Sequence, residues 1–354
     1  MKKLYSILLF FPLLLAPCAT LLAQERITIG TVEEFKGFAA AVNRGNSFAG
    51  TNVVLTTDIV LNENEDWMPI GTTDAPFQGT FDGQGHWVSN LYVNVDGRQT
   101  GDVAGLFGCI GEQGIVRRVG VSSGTIHIAA KTNDFVNCYV GGIAGLCLGH
   151  IEQCANYATV LGNYTEASVG GIAGALGYIG GGETAASIED CYNRCRLVFT
   201  NKTMFSEGNN LAGIVGLTDG AVRRVYVSPD VEISNAMATD RIANLNFGAP
   251  IPENAYFEGE LTGFALDGLL NTQGDYSVWS FTEGELPQLT AFVHVQPQYL
   301  PGDVNNDGYV NIDDVMPLVN IILGKATANP MADVNSDNAV TLADLTALVN
   351  LLTE

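Results

Sequence analysis

The chain has 354 residues, of which 47% are hydrophobic, and its formal net charge is -22. Because so acidic a chain repels a phosphate backbone, its composition argues against nucleic-acid binding. The length allows two domains, or one large domain with a small one, and the 41 glycines favour a fold rich in turns or repeats over a helical bundle.

Residues 1–23 have the pattern of a signal peptide. A basic start precedes the apolar stretch LYSILLFFPLLLAP, and small residues lead to a cleavage point after Ala23. Prolines interrupt the apolar run, which is too short for a membrane anchor. Pro17 stands directly before Cys18, where a lipoprotein signal needs a small residue. We therefore expect an exported protein, extracellular or on the bacterial cell surface, with no lipid anchor and no transmembrane segment after the leader is removed.

A helix is predicted directly after the leader, in the stretch TVEEFKGFAAAVNRG. Thr31 and Glu34 have the spacing of a capping box, and Gly45 can end the helix. Four apolar residues fall on one helical face, namely Phe35, Phe38, Ala39 and Val42. Two strand-like stretches follow, NVVLTTDIVL and PFQGTFDGQGHWVSNLYV, with turns expected at Gly79 and at Gly83–Gly85.

The middle of the chain is repetitive. Four glycine-containing stretches, VAGLFG, VGGIAG, VGGIAG and LAGIVG, begin at Val103, Val140, Val169 and Leu211. Each is followed by a second element, and these read IVRRVGV, IEQCANY, IEDCYNR and VRRVYV from Ile115, Ile151, Ile188 and Val222. The second elements alternate apolar and polar residues, as half-buried strands do. Recurrence at roughly 30–40 residues indicates a solenoid, whose exposed first edge the predicted helix would cap.

Two features of the repeats each allow two interpretations. Cys154 and Cys191 hold the same place in successive repeats, which favours small apolar core residues over a disulfide bond, although exported proteins can form disulfides. Arg117–Arg118 and Arg223–Arg224 also occupy matching positions. They could form a basic ladder that binds an anionic sugar, but a solvated face is the expectation.

Three parts of this region resemble one family. The glycine stretches resemble the GLUG motif, PIGTTDAPFQGTFDGQGHWVSNL resembles the opening segment of the same bacterial surface proteins, and WSFTEGELPQL at Trp279–Leu289 resembles their closing segment. The resemblance covers residues 27–292 and implies a mostly β fold, a right-handed parallel β-solenoid with an N-terminal capping helix. The family includes adhesin-like proteins and accessory regions of IgA peptidases, and its motif defines a scaffold without catalytic residues. Between Ser228 and Asn254 the repeat fades, and this span fits either a coil or an excursion.

Two acidic loops lie near the C-terminus, after an expected linker at 293–301. The first, GDVNNDGYVNIDDV, places oxygen-bearing residues at alternate positions of a calcium loop, with Gly308 at the sharp turn. A second loop follows thirty residues later, with Asn338 in place of that glycine. The helices after the loops repeat at the same interval, as LVNIIL from Leu318 and LVNLL from Leu348. Two unrelated acidic surface turns would not share one offset in both loop and helix.

A duplicated loop and helix, with no helix before either loop, resembles a type I dockerin. The resemblance covers residues 302–354 and implies a small α module, two bound calcium ions and a cohesin-type partner. The positions that match the family's calcium ligands are Asp303, Asn305, Asp307, Tyr309 and Asp314 in the first loop, and Asp333, Asn335, Asp337, Ala339 and Asp344 in the second. The positions that help to select the cohesin are Ile312, Asp313, Leu342 and Ala343. These two pairs differ from each other and from the hydroxyl pair common in clostridial dockerins.

No catalytic set stands out in the sequence. None of the four histidines has HExxH spacing, GxSxG does not occur, and acid pairs in so acidic a chain are weak signs of glycoside hydrolysis. We therefore expect no catalytic residues and favour a non-enzymatic, adhesin-like binding protein whose ligand is a glycan or a host surface and whose dockerin binds a cohesin. The alternative is a carbohydrate-active enzyme, a polysaccharide hydrolase or lyase, or an accessory protein of a polysaccharide-degrading complex.

Overall fold

A computed structural model describes most of the chain from residue 25 onward. The described residues are 25–63, 65–130, 137–162, 167–177, 184–199, 210–228, 233–234, 238–240, 242–246, 248–257, 269–271, 278–281, 286–292, 302, 304, 310, 312–325, 332–335 and 339–353. The expected signal peptide (1–23) and linker (293–301) lie outside them. No helix among these residues has the length and apolar character needed to cross a bilayer.

Short strands dominate the fold, with helices near the two ends. The helices are α1 Val32–Asn43, α2 Gly97–Thr100, α3 Val315–Ile322 and α4 Leu342–Thr353, and a 3-10 turn spans Ile312–Asp314. The strands are β1 Glu25–Ile29, β2 Thr51–Leu55, β3 Ile59–Val60, β4 Thr80–Ser89, β5 Leu91–Asp96, β6 Val103–Ala104, β7 Phe107–Ile110, β8 Ile115–Val121, β9 Gly124–Ala130, β10 Cys138–Gly141, β11 Ala144–Cys147, β12 His150–Glu152, β13 Ala155–Asn156, β14 Thr159–Gly162, β15 Ala167–Gly170, β16 Ala173–Leu176, β17 Ser187–Glu189, β18 Tyr192–Asn193, β19 Leu197–Phe199, β20 Asn210–Ala212, β21 Val215–Thr218, β22 Ala221–Val227, β23 Ile233–Ser234, β24 Ala238–Asp240, β25 Ala243–Leu245, β26 Glu253–Phe257, β27 Trp279–Ser280 and β28 Gln288–Leu289.

Successive turns of the chain add parallel strands to the same stacks. The largest sheet joins β1, β2, β4 and β8 to β12–β13, β17–β18, β22 and β26. Three further stacks are β6-β10-β15-β20-β24, β7-β11-β16-β21-β25 and β5-β9-β14-β19-β23. This confirms a mostly β, parallel solenoid-like fold, while its right-handed sense stays a prediction. The repeat fades in the sequence between Ser228 and Asn254. The described residues in and just after this span supply β23, β24, β25 and β26, one strand to each stack, and so form a further coil.

The glycine stretches stack directly on one another. Val140 pairs with Ala104 on one side and with Val169 on the other. The backbones approach so closely that a Cβ on Gly174 would lie 2.3 Å from the amide nitrogen of Val140 and 2.7 Å from the carbonyl oxygen of Gly145. A side chain at this position would therefore push successive coils apart, which explains why each repeat carries glycine there.

One corner of the largest sheet is built by a left-handed residue in each coil. These residues and their φ angles are Arg118 (50°), Gln153 (51°), Asp190 (52°), Arg224 (50°) and Asn254 (51°). Non-glycine residues adopt this conformation at a cost in free energy, so its recurrence at equivalent positions indicates that the fold requires a bend there. The bend turns both Ile151 and Cys154 inward, and both are fully buried although strict alternation would place them on opposite faces.

The expected turn at Gly83–Gly85 is wrong. These glycines lie inside β4, where the register with β8 shifts between Asp82 and His86. Gln84 and Gly85 have φ angles of 51° and 85°, so the glycines accommodate a bulge that bends the strand and lets it continue.

The predicted capping helix is confirmed in α1. The Thr31 hydroxyl accepts the amide N–H of Glu34 at 3.2 Å, and the Glu34 carboxylate accepts the amide N–H of Thr31 at 3.1 Å. The four predicted face residues are all buried, and Phe35 stacks on Trp67 with ring centroids 4.8 Å apart. Gly45 follows the helix with a φ angle of 100°. The helix therefore covers the apolar end of the stack.

Cysteines belong to the core. The six cysteines after the leader are buried thiols, as the interpretation of Cys154 and Cys191 as core residues predicted. The amide N–H of Cys154 donates to the sulfur of Cys191 at 3.3 Å, which fixes their stacking on adjacent coils. Burial raises the pKa of Cys109 to about 12. Such thiols stay protonated and unreactive at neutral pH.

A closing segment folds back over the outer face of the largest sheet. We call its described residues 269–271, 278–281 and 286–292 the strap. Strands β27 and β28 form an antiparallel pair within it. The Trp279 ring packs on Tyr192 at 6.3 Å, and Phe292 packs on Trp87 at 4.6 Å. The strap thus spans several coils and buries part of an aromatic column on the sheet.

Candidate calcium sites and docking surface

The helices α3 and α4 share a small core built from positions thirty residues apart. The fully or largely buried pairs are Val304 with Val334 and Leu318 with Leu348. Partly buried pairs packed against them are Val310 with Val340, Val315 with Leu345, and Ile322 with Leu352. Each half of the module therefore contributes equivalent residues to one core, as a duplicated loop and helix requires.

An acidic residue at the start of each helix is fully buried. Asp314 precedes α3, Asp344 lies in the first turn of α4, and both have 0% exposure. Asp344 accepts the amide N–H of Thr341 at 2.7 Å and that of Asn335 at 3.2 Å. Burial raises the pKa of Asp344, but these backbone hydrogen bonds outweigh it and hold the pKa below its ordinary range. The carboxylate is thus ionised at neutral pH.

The described part of the second loop fits a calcium ion. The bond between Asn335 and Asp344 joins positions 3 and 12, so the loop closes on itself. Asp333, Asn335 and Asp344 offer carboxylate and amide oxygens, and Ala339 offers its carbonyl, which is the hard-oxygen set that calcium prefers. These residues would hold the ion there. Among the described residues, no three acidic, histidine or cysteine side chains converge on one point as a metal site.

Of the predicted calcium ligands in the first loop, Asp314 is the one that the described residues include. Asp314 is the equivalent of Asp344 and is buried in the same way. The remaining predicted ligands lie outside the described residues, namely Asp303, Asn305, Asp307, Tyr309 and Asp337. Their role in calcium binding stays a prediction.

The predicted partner-selecting positions lie on an exposed apolar surface. Ile312 is 72% exposed and Leu342 is 68% exposed, and Ala343 is exposed beside it. The side chain of Asp313 is not described. Further exposed apolar residues continue along the helices, Met316 on α3 and Val349 on α4, at helical spacings from these positions. We define Ile312, Met316, Leu342 and Val349 as the docking surface. Large apolar side chains left exposed on so small a module are typical of a protein interface.

The Arg117–Arg118 pair is partly exposed, as expected for a solvated face, and it also forms ion pairs between coils. Both arginines bind Asp82 of the preceding coil, with the Arg117 Nε and Arg118 Nε atoms 3.1 and 3.0 Å from its carboxylate oxygens. Burial raises the pKa of Asp82, but the hydrogen bond from Arg118 and the nearby charges lower it overall. The arginines thus tie two coils together on a face that is partly open to solvent.

The second arginine pair forms a denser network. Arg224 binds Glu189 at 2.7 Å and Asp190 at 2.8 Å, and Arg223 binds Glu189 at 3.0 Å. The indole N–H of Trp279 in the strap donates to Asp190 at 3.0 Å. The hydrogen bonds that Arg224 donates to Asp190 and Glu189 raise the pKa of Arg224 well above its ordinary value. This network links two coils and fastens the strap.

Sequence reasoning missed two hollows on the solenoid. One, of about 440 Å³, lies beside α1 and is lined mainly by Lys36, Asn43, Arg44, Glu65 and Trp67. The other is an open groove of about 360 Å³ on the outer face, lined by Asp58, Trp87, Ser89, Ser122 and Tyr157. Three tryptophans occur in the whole chain, and their scarcity was the signal that could have drawn attention to Trp87.

The C-terminal residues match a known domain family. Residues 301–353 match the dockerin type I domain. This segment is therefore a type I dockerin, a type of domain that binds calcium. The match leaves the identity of the solenoid open.

The other comparisons give partial matches or a distant structural likeness. A protein of Evansella cellulosilytica, named as a Gly-rich membrane protein, is 31% identical over 87 residues, which are 25% of this chain and 9% of that protein. The halomucin of Haloquadratum walsbyi is 32% identical over 139 residues, which are 37% of this chain and 1% of that protein. The chain thus spans less than a tenth of either relative. A Bacteroides ovatus crystal structure, whose name proposes an immunoglobulin A1 protease, has 16% identity and a TM-score of 0.43, covering 75% of this chain and 92% of that chain.

Proposed function

We propose that the protein is an exported, non-enzymatic binding protein, in which a GLUG-type solenoid presents a ligand-binding face and the dockerin attaches it to a cohesin on a partner. The observation that carries this proposal is the duplicated module at the C-terminus. Buried Asp314 and Asp344 begin its two helices, and Ile312 and Leu342 stand exposed beside them. Export to the cell exterior fits a dockerin, because such proteins are typically extracellular or parts of cell-surface complexes.

Two calcium ions would complete the docking module. Each would supply positive charge to a cluster of carboxylates that otherwise repel one another. The chain's own contribution is to place one carboxylate of each site at the start of a helix. Asp344 ties its loop to α4 through the amides of Asn335 and Thr341, so closure of the loop also orients Leu342 on the docking surface.

The acids on the outer face favour binding over catalysis. Asp82, Glu189 and Asp190 are held in ion pairs with arginines of neighbouring coils. A carboxylate in such an ion pair is poorly suited to act as a general acid or base, for two reasons. Its pKa is lowered, as it is for Asp82 and Glu189. Burial and the arginine partners also restrict the access of a substrate to it. The alternative of a polysaccharide hydrolase or lyase therefore lacks a supporting feature among the described residues.

Capture on an immobilised type I cohesin tests the docking proposal. The full chain should bind in calcium and be released by a chelator. Replacing both Ile312 and Leu342 by Asp should abolish capture, because both side chains belong to the docking surface. The control is Ile251→Asp, which removes an apolar side chain of similar exposure, 78%, from the solenoid. Capture that survives chelator, or that falls equally in the control, would contradict the proposal.

A further inference from the structure

The open groove is formed by two columns of equivalent residues on successive coils. In the first column, Asp58, Trp87 and Gly120 follow one another, since Ile59 pairs with Val88 and Trp87 pairs with Gly120. A Cβ on Gly120 would lie only 2.3 Å from the six-membered ring of the Trp87 indole. The ring therefore lies directly over the backbone of Gly120, and the glycine provides the space that it occupies.

The second column supplies hydroxyl groups and a second ring. The Ser89 and Ser122 hydroxyls are 2.8 Å apart, and Tyr157 follows on the next coil. The Tyr157 and Trp87 rings meet edge to face, with centroids 5.4 Å apart and an interplanar angle of 68°. The Arg194 guanidinium lies over the Tyr157 ring at 5.5 Å. Two aromatic rings thus stand at a steep angle around a hollow floored by small residues.

A carboxylate borders the same groove. One oxygen of Asp58 accepts the amide N–H of Trp87 at 2.9 Å and lies 3.0 Å from His86 Nδ1. These contacts fix the orientation of the carboxylate, yet its side chain is still 49% exposed. A charged acceptor held in place and open to solvent is suited to receive a hydrogen bond from a ligand hydroxyl.

The aromatic rings are held in place before any ligand arrives. The Trp87 ring contacts the backbone of Gly120, and the tilted ring of Phe292 in the strap lies 4.6 Å from it, centroid to centroid. The Tyr157 hydroxyl bonds to that of Tyr192 at 2.9 Å. Because neither ring needs to be ordered on binding, the entropic cost of recognition is low.

The combination of groups identifies the class of ligand. A pyranose ring has an apolar C–H face, which suits the electron-rich face of Trp or Tyr, and a rim of hydroxyls, which suits carboxylate and serine. An acyl chain would cover the half-exposed Asp58 carboxylate and take away its water without offering it a hydrogen bond. An anionic sugar would meet Asp58 in a chain whose net charge is -22. We propose that the groove lined by Asp58, Trp87, Ser89, Ser122 and Tyr157 binds a neutral saccharide. This inference rests on the proposed function and names the ligand class of the solenoid.

Affinity electrophoresis of the full chain in calcium tests the inference. The gels contain a soluble β-glucan, xylan, galactomannan or α-glucan, with polygalacturonate as the acidic comparison. At least one neutral polysaccharide should retard the protein. Tyr157→Ala should weaken this binding about tenfold, the equivalent of one aromatic contact. The control is Tyr256→Ala, which removes an aromatic ring from the same sheet, on β26 and remote from the groove.

A milder variant keeps the test valid if loss of a ring disturbs folding. Asp58→Asn retains an oxygen that can accept the bonds from Trp87 and His86, so the melting temperature should not change, while saccharide binding should weaken. The inference is overturned if no neutral polysaccharide retards the protein, if polygalacturonate retards it more, or if Tyr157→Ala and Asp58→Asn bind as well as the wild type. Asp344→Ala separates the two proposals, because it should reduce cohesin capture and leave saccharide binding intact.

Discussion

Asp190 is expected to be the polar side chain whose loss most destabilises the solenoid. It is 7% exposed, binds Arg224 at 2.8 Å and accepts the indole N–H of Trp279 at 3.0 Å. Asp190→Ala leaves that buried N–H without its acceptor, at a cost of about 1–3 kcal/mol. It also places alanine in a left-handed conformation, at about 1–2 kcal/mol. Arg224 keeps its ion pair with Glu189, so these two costs dominate and we expect a total of about 2–5 kcal/mol.

The matched control is Gln153→Ala. Gln153 occupies the same corner one coil earlier, with a φ angle of 51° against 52° for Asp190. This substitution carries the backbone cost without the loss of an acceptor for Trp279, so it should cost only about 1–2 kcal/mol. Asp190→Asn should cost less than Asp190→Ala, because asparagine tolerates the conformation and keeps one acceptor oxygen.

Equilibrium denaturation of the full chain in calcium measures these differences, and tryptophan fluorescence reports release of the strap. Asp190→Ala should lower the free energy of unfolding more than Gln153→Ala does. If the two variants agree within about 0.5 kcal/mol, the hydrogen bonds of Asp190 do not stabilise the fold and the reasoning is refuted.

Three further predictions concern pH, thiols and the dockerin core. Burial raises the pKa of Asp82, but Arg118 lowers it by more, so that it lies below its ordinary value of 3.8. The stability that this ion pair supplies is therefore complete above pH 3.8 and is lost as the pH falls below it. Asp82→Asn should make stability, measured by urea denaturation, depend less steeply on pH in this acid range, and an unchanged slope would contradict this. The buried cysteines should resist a thiol reagent in the native protein and react after unfolding, so rapid native labelling would exclude their place in the core. Leu348→Ala should cost about 2–5 kcal/mol and abolish cohesin capture, whereas Leu351→Ala, at a position 50% exposed, should preserve it.

Local patterns were predictable from the sequence. The capping box of Thr31 and Glu34 and the buried face of α1 depend on residues within one or two helical turns, and the structure contains both. The duplicated calcium loops are equally local, because each lies within one short stretch of sequence, and the type I dockerin that they resemble matches this segment. The glycine repeats predicted the solenoid, since each repeat equals one coil.

Contacts between coils were not predictable, because they depend on register. Arg118 and Asp82 are 36 residues apart and meet only because β8 stacks on β4. The position of Trp87 over Gly120 has the same origin. The bulge in β4 was misread as a turn because Gly83–Gly85 suits both. The strap could be recognised as a closing segment, but its contact with Trp87 could not be foreseen.

Calorimetric titration of the full chain with calcium, followed in parallel by far-UV circular dichroism, tests the central claim most directly. The claim is that residues 302–354 form a docking module that calcium holds together. We predict two bound ions in the wild type, one in Asp344→Ala, and a gain of helix signal on adding calcium to chelated protein. Binding of no calcium, an unchanged stoichiometry in Asp344→Ala, or full helix signal in excess chelator would contradict the claim.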